Sequence, residues 1–143
     1  MSVKQISIFV QNEKGALSSV LKTIGDESIE IRALSIADTI DFGILRIITD
    51  DEQKTEKALK DAGYVCNVTE VVAACVEDKF GGLAKELELL NKNDIEIEYL
   101  YAFVTKSREK ACVVLRVNDT KKTEAILIEN GIEILNEEDI KNL

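Results

Sequence analysis

The chain has 143 residues, with 18 Lys and Arg against 27 Asp and Glu, a formal net charge of −9, and neither His nor Pro. That length fits one medium domain or two small ones, and the acidic surplus argues against nucleic-acid backbones and anionic membrane surfaces as partners. No apolar run reaches the roughly 18 residues of a membrane span, and Met1–Val10 lacks the long apolar core of a secretion signal, so a cytoplasmic protein is expected.

From the N-terminus, Lys4–Val10 alternates apolar residues at Ile6, Ile8 and Val10, which predicts a half-buried strand. Leu17, Val20, Leu21 and Ile24 form a single helical stripe, and Gly25 is expected at the end of that helix. Alternation resumes at Ile29, Ile31 and Ala33 and runs to Ile36. Asp38–Asp41 reads as a turn and Phe42–Thr49 as another strand. Asp50, Asp51 and Glu52 favour a helix N-terminus, and Gly63 closes that helix. Tyr64–Val68 is a fourth strand. The order is β-α-β-β-α-β, and it then recurs over Val71–Val76, Gly82–Asn91, Ile95–Thr105, Ala111–Val117, Thr120–Asn130 and Ile132–Leu135, with a short helix expected over Asn136–Asn142.

The recurrence extends to individual residues. Asn12-Glu13-Lys14-Gly15-Ala16-Leu17 returns as Asp78-Lys79-Phe80-Gly81-Gly82-Leu83, and Ile29-Glu30-Ile31 returns as Ile95-Glu96-Ile97. The spacing is 66 at Asn12 and Asp78, 70 at Arg46 and Arg116, and 68 at Gly63 and Gly131, so it changes only between elements. Duplication of a whole domain followed by drift in loop length leaves that pattern. A unit of about 70 residues is marginal alone, so two are expected to pack together. The reading is α+β: two ferredoxin-like βαββαβ units, residues 1–70 and 71–143, packed side by side, each an antiparallel sheet with its helices on one face. The join over Val65–Val76 is β-prone throughout, which predicts a strand-to-strand connection.

The duplicated loop carries chemistry. Gly15 and Gly81 bring bare backbone close to anything docking there. The helix behind each exposes unpaired N–H groups that suit a carboxylate. Asn12 and Asp78 offer oxygens to an ammonium, so the pair of features describes a zwitterion site, as for an α-amino acid. The ordinary alternative is that Asn12 and Asp78 are helix caps and the glycines serve tight turns.

The element order and the Asn/Asp-x-x-Gly-x-Leu loop, with the pattern at Ser28–Ile31, resemble the ACT domain, a regulatory module of amino-acid metabolism. The resemblance covers residues 3–70 and 71–135. It implies that units pair side by side and that an amino-acid effector binds at their shared boundary. The implied ligand-binding positions are Asn12, Gly15, Ala16 and Leu17 with Asp78, Gly81, Gly82 and Leu83 from the loops, and Glu30 and Ile31 with Glu96 and Ile97 from strand two. Two departures stand out: Lys14 and Phe80 occupy a position that is often Pro in the family, and Glu30 and Glu96 one that is often Asn. An inward Glu would repel the ligand's carboxylate, so the ligand uses strand-two backbone alone, or the Glu reads a basic or N–H-bearing side chain.

The resulting expectation is a regulatory protein that binds a free amino acid and is not an enzyme, since no nucleophile–base set is visible. A homodimer contact or a partner enzyme would read the bound state. The rival readings are a regulatory subunit that acts only when docked on a biosynthetic enzyme or transcription factor, and a ligand-free assembly module. Cys66, Cys75 and Cys112 form no Cys-x-x-Cys pair, so they are expected as buried strand thiols with no metal or cofactor. Tyr99, Tyr101 and Phe103 share a strand face, read as packing ahead of a ligand wall. Arg46 and Arg116 are read as members of sheet-face ion pairs, and Lys106–Lys110 as a solvated hairpin tip.

Overall fold

A computed structural model of the protein describes residues 2–38, 41–77, 79–104 and 111–143. Asp78, the hairpin tip Lys106–Lys110, and part of the turn expected over Asp38–Asp41 lie outside the described residues. The chain forms β1 (Val3–Gln11), α1 (Ala16–Asp26), β2 (Ile31–Asp38), β3 (Phe42–Thr49), α2 (Glu52–Asp61) and β4 (Cys66–Val76). It continues with α3 (Gly82–Lys92), β5 (Ile97–Ala102), β6 (Ala111–Val117), α4 (Thr120–Glu129), β7 (Ile134–Leu135) and α5 (Glu137–Lys141). No helix among the described residues is long and apolar enough to cross a membrane.

Two compact units emerge, one of residues 4–69 and one of residues 70–143 together with the first residues of the chain. The expected fourth strand and the expected first strand of the second copy are one uninterrupted strand, β4. In the first unit β1 and β2 flank β3, all antiparallel, in registers that pair Ile8 with Leu45 and Leu34 with Ile47. On the far side of β1, the Phe9 N–H donates to the Val65 carbonyl at 3.1 Å. In the second unit the order is β7-β4-β6-β5, with Ala74 opposite Val113 and Ala73 opposite Leu135. Both units have the ferredoxin-like arrangement.

The alternation that marked the strands builds the cores. Ile6, Ile8, Val10, Leu45 and Ile47 meet Val20, Ile24 and Leu59 in the first unit. Val72, Ala74, Val76, Val113, Leu115 and Val117 meet Leu90, Ile126 and Leu127 in the second. Each such aliphatic side chain contributes about 1.5–3 kcal/mol on full burial. Both second strands carry a bulge at the same place. Arg32 is skipped between the pairs Ile31–Thr49 and Ala33–Ile48, and Glu98 between Ile97–Val117 and Tyr99–Arg116. A bulge re-aims the side chains around it.

One helix boundary differs from expectation. Gly25 lies inside α1, and the left-handed residue that ends the helix is Ser28, with φ 57°. Asp94, at φ 59°, does the same after α3. The Ile29 and Ile95 N–H groups reach back to the Ile24 and Leu90 carbonyls, so the apolar residue after the turn folds onto the core. That hydrophobic contact sets the stop, and a short polar residue tolerates the backbone it requires.

The second helix of each unit is capped by aspartate. Asp51 Oδ1 accepts from the Lys54 N–H and Asp119 Oδ1 from the Lys122 N–H, both at 3.0 Å. Behind Asp51, the Thr55 hydroxyl donates to the Asp51 carbonyl at 2.6 Å and accepts from the Thr49 hydroxyl at 2.8 Å. Asp51→Ala is expected to cost about 1 kcal/mol of unfolding free energy in a urea titration, and an unchanged midpoint would show the cap to be idle. The short α5 closes with a capping box between Asn136 and Asp139 and buries Ile140.

Candidate functional site

The duplicated loops end in matching geometry. Gly15 (φ 85°, ψ −5°) is the N-cap of α1, and Gly81 (φ 76°, ψ 5°) that of α3. A residue with a side chain is strained at such angles. The turn is closed by backbone alone: Ala16 N–H to the Glu13 carbonyl and Gly82 N–H to the Lys79 carbonyl. Neither helix has a side-chain cap. Asn12 is exposed, three residues ahead of the cap, and among the described residues its side chain makes no hydrogen bond. It is therefore not the cap of α1. The Leu17 and Ser18 N–H groups at the helix start are left without a partner among the described residues. Ala16 and Leu17 are half-buried and pack on the first core, and Leu83 packs on the second.

The strand-two positions behave differently. Glu30 and Glu96 precede β2 and β5, and their N–H groups are already taken by Asp50 Oδ1 and Asn118 Oδ1, each at 3.0 Å. Their carbonyls accept from the Asp50 and Asn118 N–H groups. The backbone there is spent on tying the start of β2 to the residue after β3, and the start of β5 to the residue after β6. The Glu30 carboxylate accepts from Arg32 Nη1 at 2.7 Å, and that guanidinium is itself buried in the fold. The pairing answers the repulsion problem at Glu30, whose charge is matched from within its own strand. Arg32 was not singled out in the sequence; its place on the bulge is what turns it toward Glu30. Ile31 and Ile97 pack on their respective cores.

The second unit also contains a cleft of about 560 Å³, lined by the end of β4, the exposed side of α3 and the residues between α4 and β7. Glu86 lines it. This residue is 5% exposed, and its Oε1 is shielded from solvent with no hydrogen-bond partner among the described residues. Burial pushes its carboxyl up from the usual carboxylate range to about 7. The sequence carried a sign of this: Leu83, Glu86, Leu87 and Leu90 repeat the stripe Leu17, Val20, Leu21 and Ile24, with Glu86 in place of the buried Val20.

The family model described as an ACT domain pair matches residues 1–143. The chain belongs to that family. A protein of Bacteroides thetaiotaomicron with a crystal structure is 38% identical, with a TM-score of 0.92 over 100% of this chain and 98% of its own. The regulatory subunit of aspartate kinase from Thermus thermophilus, in its ligand-free form, has a TM-score of 0.64 over 89% of each chain at 13% identity. The corresponding subunit from Thermus flavus has a TM-score of 0.63 over 90% of each chain, also at 13% identity. At these identities the two Thermus proteins show a shared fold. No curated protein matches the chain.

Other side chains of the two ACT units have structural partners. Arg116 Nε pairs with Glu98 at 3.1 Å, and its Nη1 donates to the Glu70 carbonyl at 3.0 Å, an ion pair on the sheet face. Tyr99 and Tyr101 stack with ring centroids 6.4 Å apart, and Tyr101 is buried. Cys75 and Cys112 are direct neighbours across β4 and β6, buried, with sulfurs 2.9 Å apart in a hydrogen bond. Cys66 is half-buried, and that burial raises its thiol pKa. Phe80 stands fully exposed beside Gly81 where the first loop has Lys14.

Proposed function

We propose that this ACT domain pair is a regulatory protein of amino-acid metabolism that binds a free amino acid and has no catalytic role. The observation that carries the reading is the contrast between helix starts. The helices after the duplicated loops have no side-chain cap, whereas those after the third strands are capped by Asp51 and Asp119. Open N–H groups and the positive end of a helix dipole suit a carboxylate, and an exposed, unbonded Asn12 beside them suits an ammonium. Membership of the ACT domain pair family and the likeness to regulatory subunits of aspartate kinase support it. The strand-two segments Glu30–Ile31 and Glu96–Ile97 serve as walls of the sites, since the backbone groups of Glu30 and Glu96 are already paired. At Glu30 the Arg32 partner keeps the carboxylate from opposing the ligand. Binding acts by linkage: the effector favours one state of the protein, and a second copy or a partner enzyme reads that state.

The test is a thermal-shift series with each amino acid in turn. An effector at about 100 times its dissociation constant adds roughly 2.7 kcal/mol of stability. Asn12→Ala is expected to reduce that gain while leaving the ligand-free melting temperature alone, because the Asn12 side chain makes no hydrogen bond among the described residues. If no amino acid stabilises the purified chain, it does not act as an effector sensor by itself. Binding that appears only when a biosynthetic enzyme is present would favour the docked regulatory-subunit reading, for which the Thermus subunits are the precedent of fold.

A further inference from the structure

The duplication provides an internal comparison for the cleft. Position 86 corresponds to position 20, and position 132 to position 64. In the first unit Val20 is fully buried, Tyr64 packs against the same core, and α1 lies against α2. In the second unit the smaller Ile132 and the acid Glu86 occupy those places, and both line the cleft. The scaffold is therefore able to carry an apolar side chain at this buried position, and in one copy it carries an acid instead. Glu86 is held at a core position with an oxygen that no group among the described residues satisfies, an arrangement more typical of a binding site than of packing.

We propose that this cleft binds a small aliphatic primary ammonium ion, whose N–H groups bond Glu86 and whose methylenes lie against Val76, Leu89 and Ile132. A carboxylate only accepts hydrogen bonds and an ammonium only donates them, so the two satisfy each other; the amide side chain in the lining, Asn130, already donates to the Ile126 carbonyl at 2.8 Å. The charges facing the cleft agree. Glu77 comes from the end of β4, Lys85, Glu88 and Lys92 from α3, and Glu133 from the approach to β7. With Glu86 these are four acids against two lysines; Glu77 is already paired with Lys79, and the remaining three acids still outnumber the two lysines. The volume is within the range of small-ligand sites, and Gly82 and Gly131 add no side chain to the walls. Gly82 is shared with the second loop, but the proposal stands whether or not the loops bind an amino-acid effector.

The ammonium belongs either to a free amine or to the side chain of a diamino acid, and one experiment separates them. The full chain is titrated by NMR with 1,4-diaminobutane and with L-ornithine, each against a counterpart without a terminal ammonium group, n-butanol and L-norvaline. The amide signals of Leu89, Gly131 and Ile132 are expected to move with the two amines and stay still with these counterparts. The tighter of the two amines identifies the source. Glu86→Gln should weaken binding at least tenfold with an unchanged folded spectrum, and wild-type affinity should rise as the pH passes upward through about 7. The proposal is overturned if neither amine moves the cleft signals, if n-butanol moves them as much, or if Glu86→Gln binds equally well. Amino-acid stabilisation that depends on Asn12, with no amine response at Glu86, would sink this site and leave the effector reading intact.

Discussion

Replacing Glu86 with valine, the residue the first unit carries at position 20, is expected to stabilise the protein by on the order of 3 kcal/mol at pH 8 and by much less at pH 4. The cause is the burial that lifts the Glu86 carboxyl from 4.5 to about 7. Below about pH 4.5 the group is protonated whether the chain is folded or not. Between 4.5 and 7 the unfolded chain gives up the proton while the folded chain retains it, so stability falls as pH rises; above about 7 the loss is complete. Valine removes this dependence and adds a small gain from apolar burial. Glu86→Gln separates the two effects, since it removes the charge but keeps a buried polar group. Urea titrations at half-unit pH steps measure it as the difference between variant and wild type, which cancels the other carboxylates. A difference that is flat from pH 4.5 to 7 would mean that Glu86 titrates as an ordinary surface acid.

The architecture was largely written in the sequence because the cores are built by simple periodicities. Ile6, Ile8 and Val10 alternate on a strand, Leu17, Val20, Leu21 and Ile24 stripe a helix, and both patterns return in the second copy. Local chemistry was harder to read. Gly25 looked like a helix end, yet the stop is set three residues later by Ile29 folding back on the core, a tertiary contact with no local marker. Asn12 had the composition of a helix cap, but the backbone reverses at Gly15 and leaves Asn12 outside the first turn. Arg32 lies within an apolar alternation as an ordinary polar residue, and only the bulge makes it the partner of Glu30. Glu86 was legible in principle, since it breaks an apolar stripe that the other copy keeps intact. What the stripe does not reveal is whether the acid escapes to solvent or is trapped, which depends on how α3 sits against the residues after α4.

The two loops are also unequal in a way that sequence alone records only as Ala16 against Gly82. An ideal Cβ built on Gly82 would lie 2.3 Å from the carbonyl oxygen of Glu77, a backbone atom that cannot rotate aside. At the matching position α1 carries the methyl group of Ala16, half-buried against the first core. Gly82→Ala is therefore expected to destabilise the protein by about 1–3 kcal/mol, against the roughly 1 kcal/mol gain that alanine usually gives a helix. The reverse change, Ala16→Gly, removes a methyl group without a clash and should cost no more than about 1 kcal/mol. Chemical denaturation of the two single variants decides the matter, and a Gly82→Ala protein as stable as wild type would show that α3 can retreat from β4 at little cost. In that event the second loop would be free to adopt the spacing of the first, and the difference between the two sites would rest on Lys14 against Phe80 and Asn12 against Asp78. If the cost is as large as expected, α3 is locked close to the end of β4, and the second loop cannot take up the side chain that the first carries at Ala16.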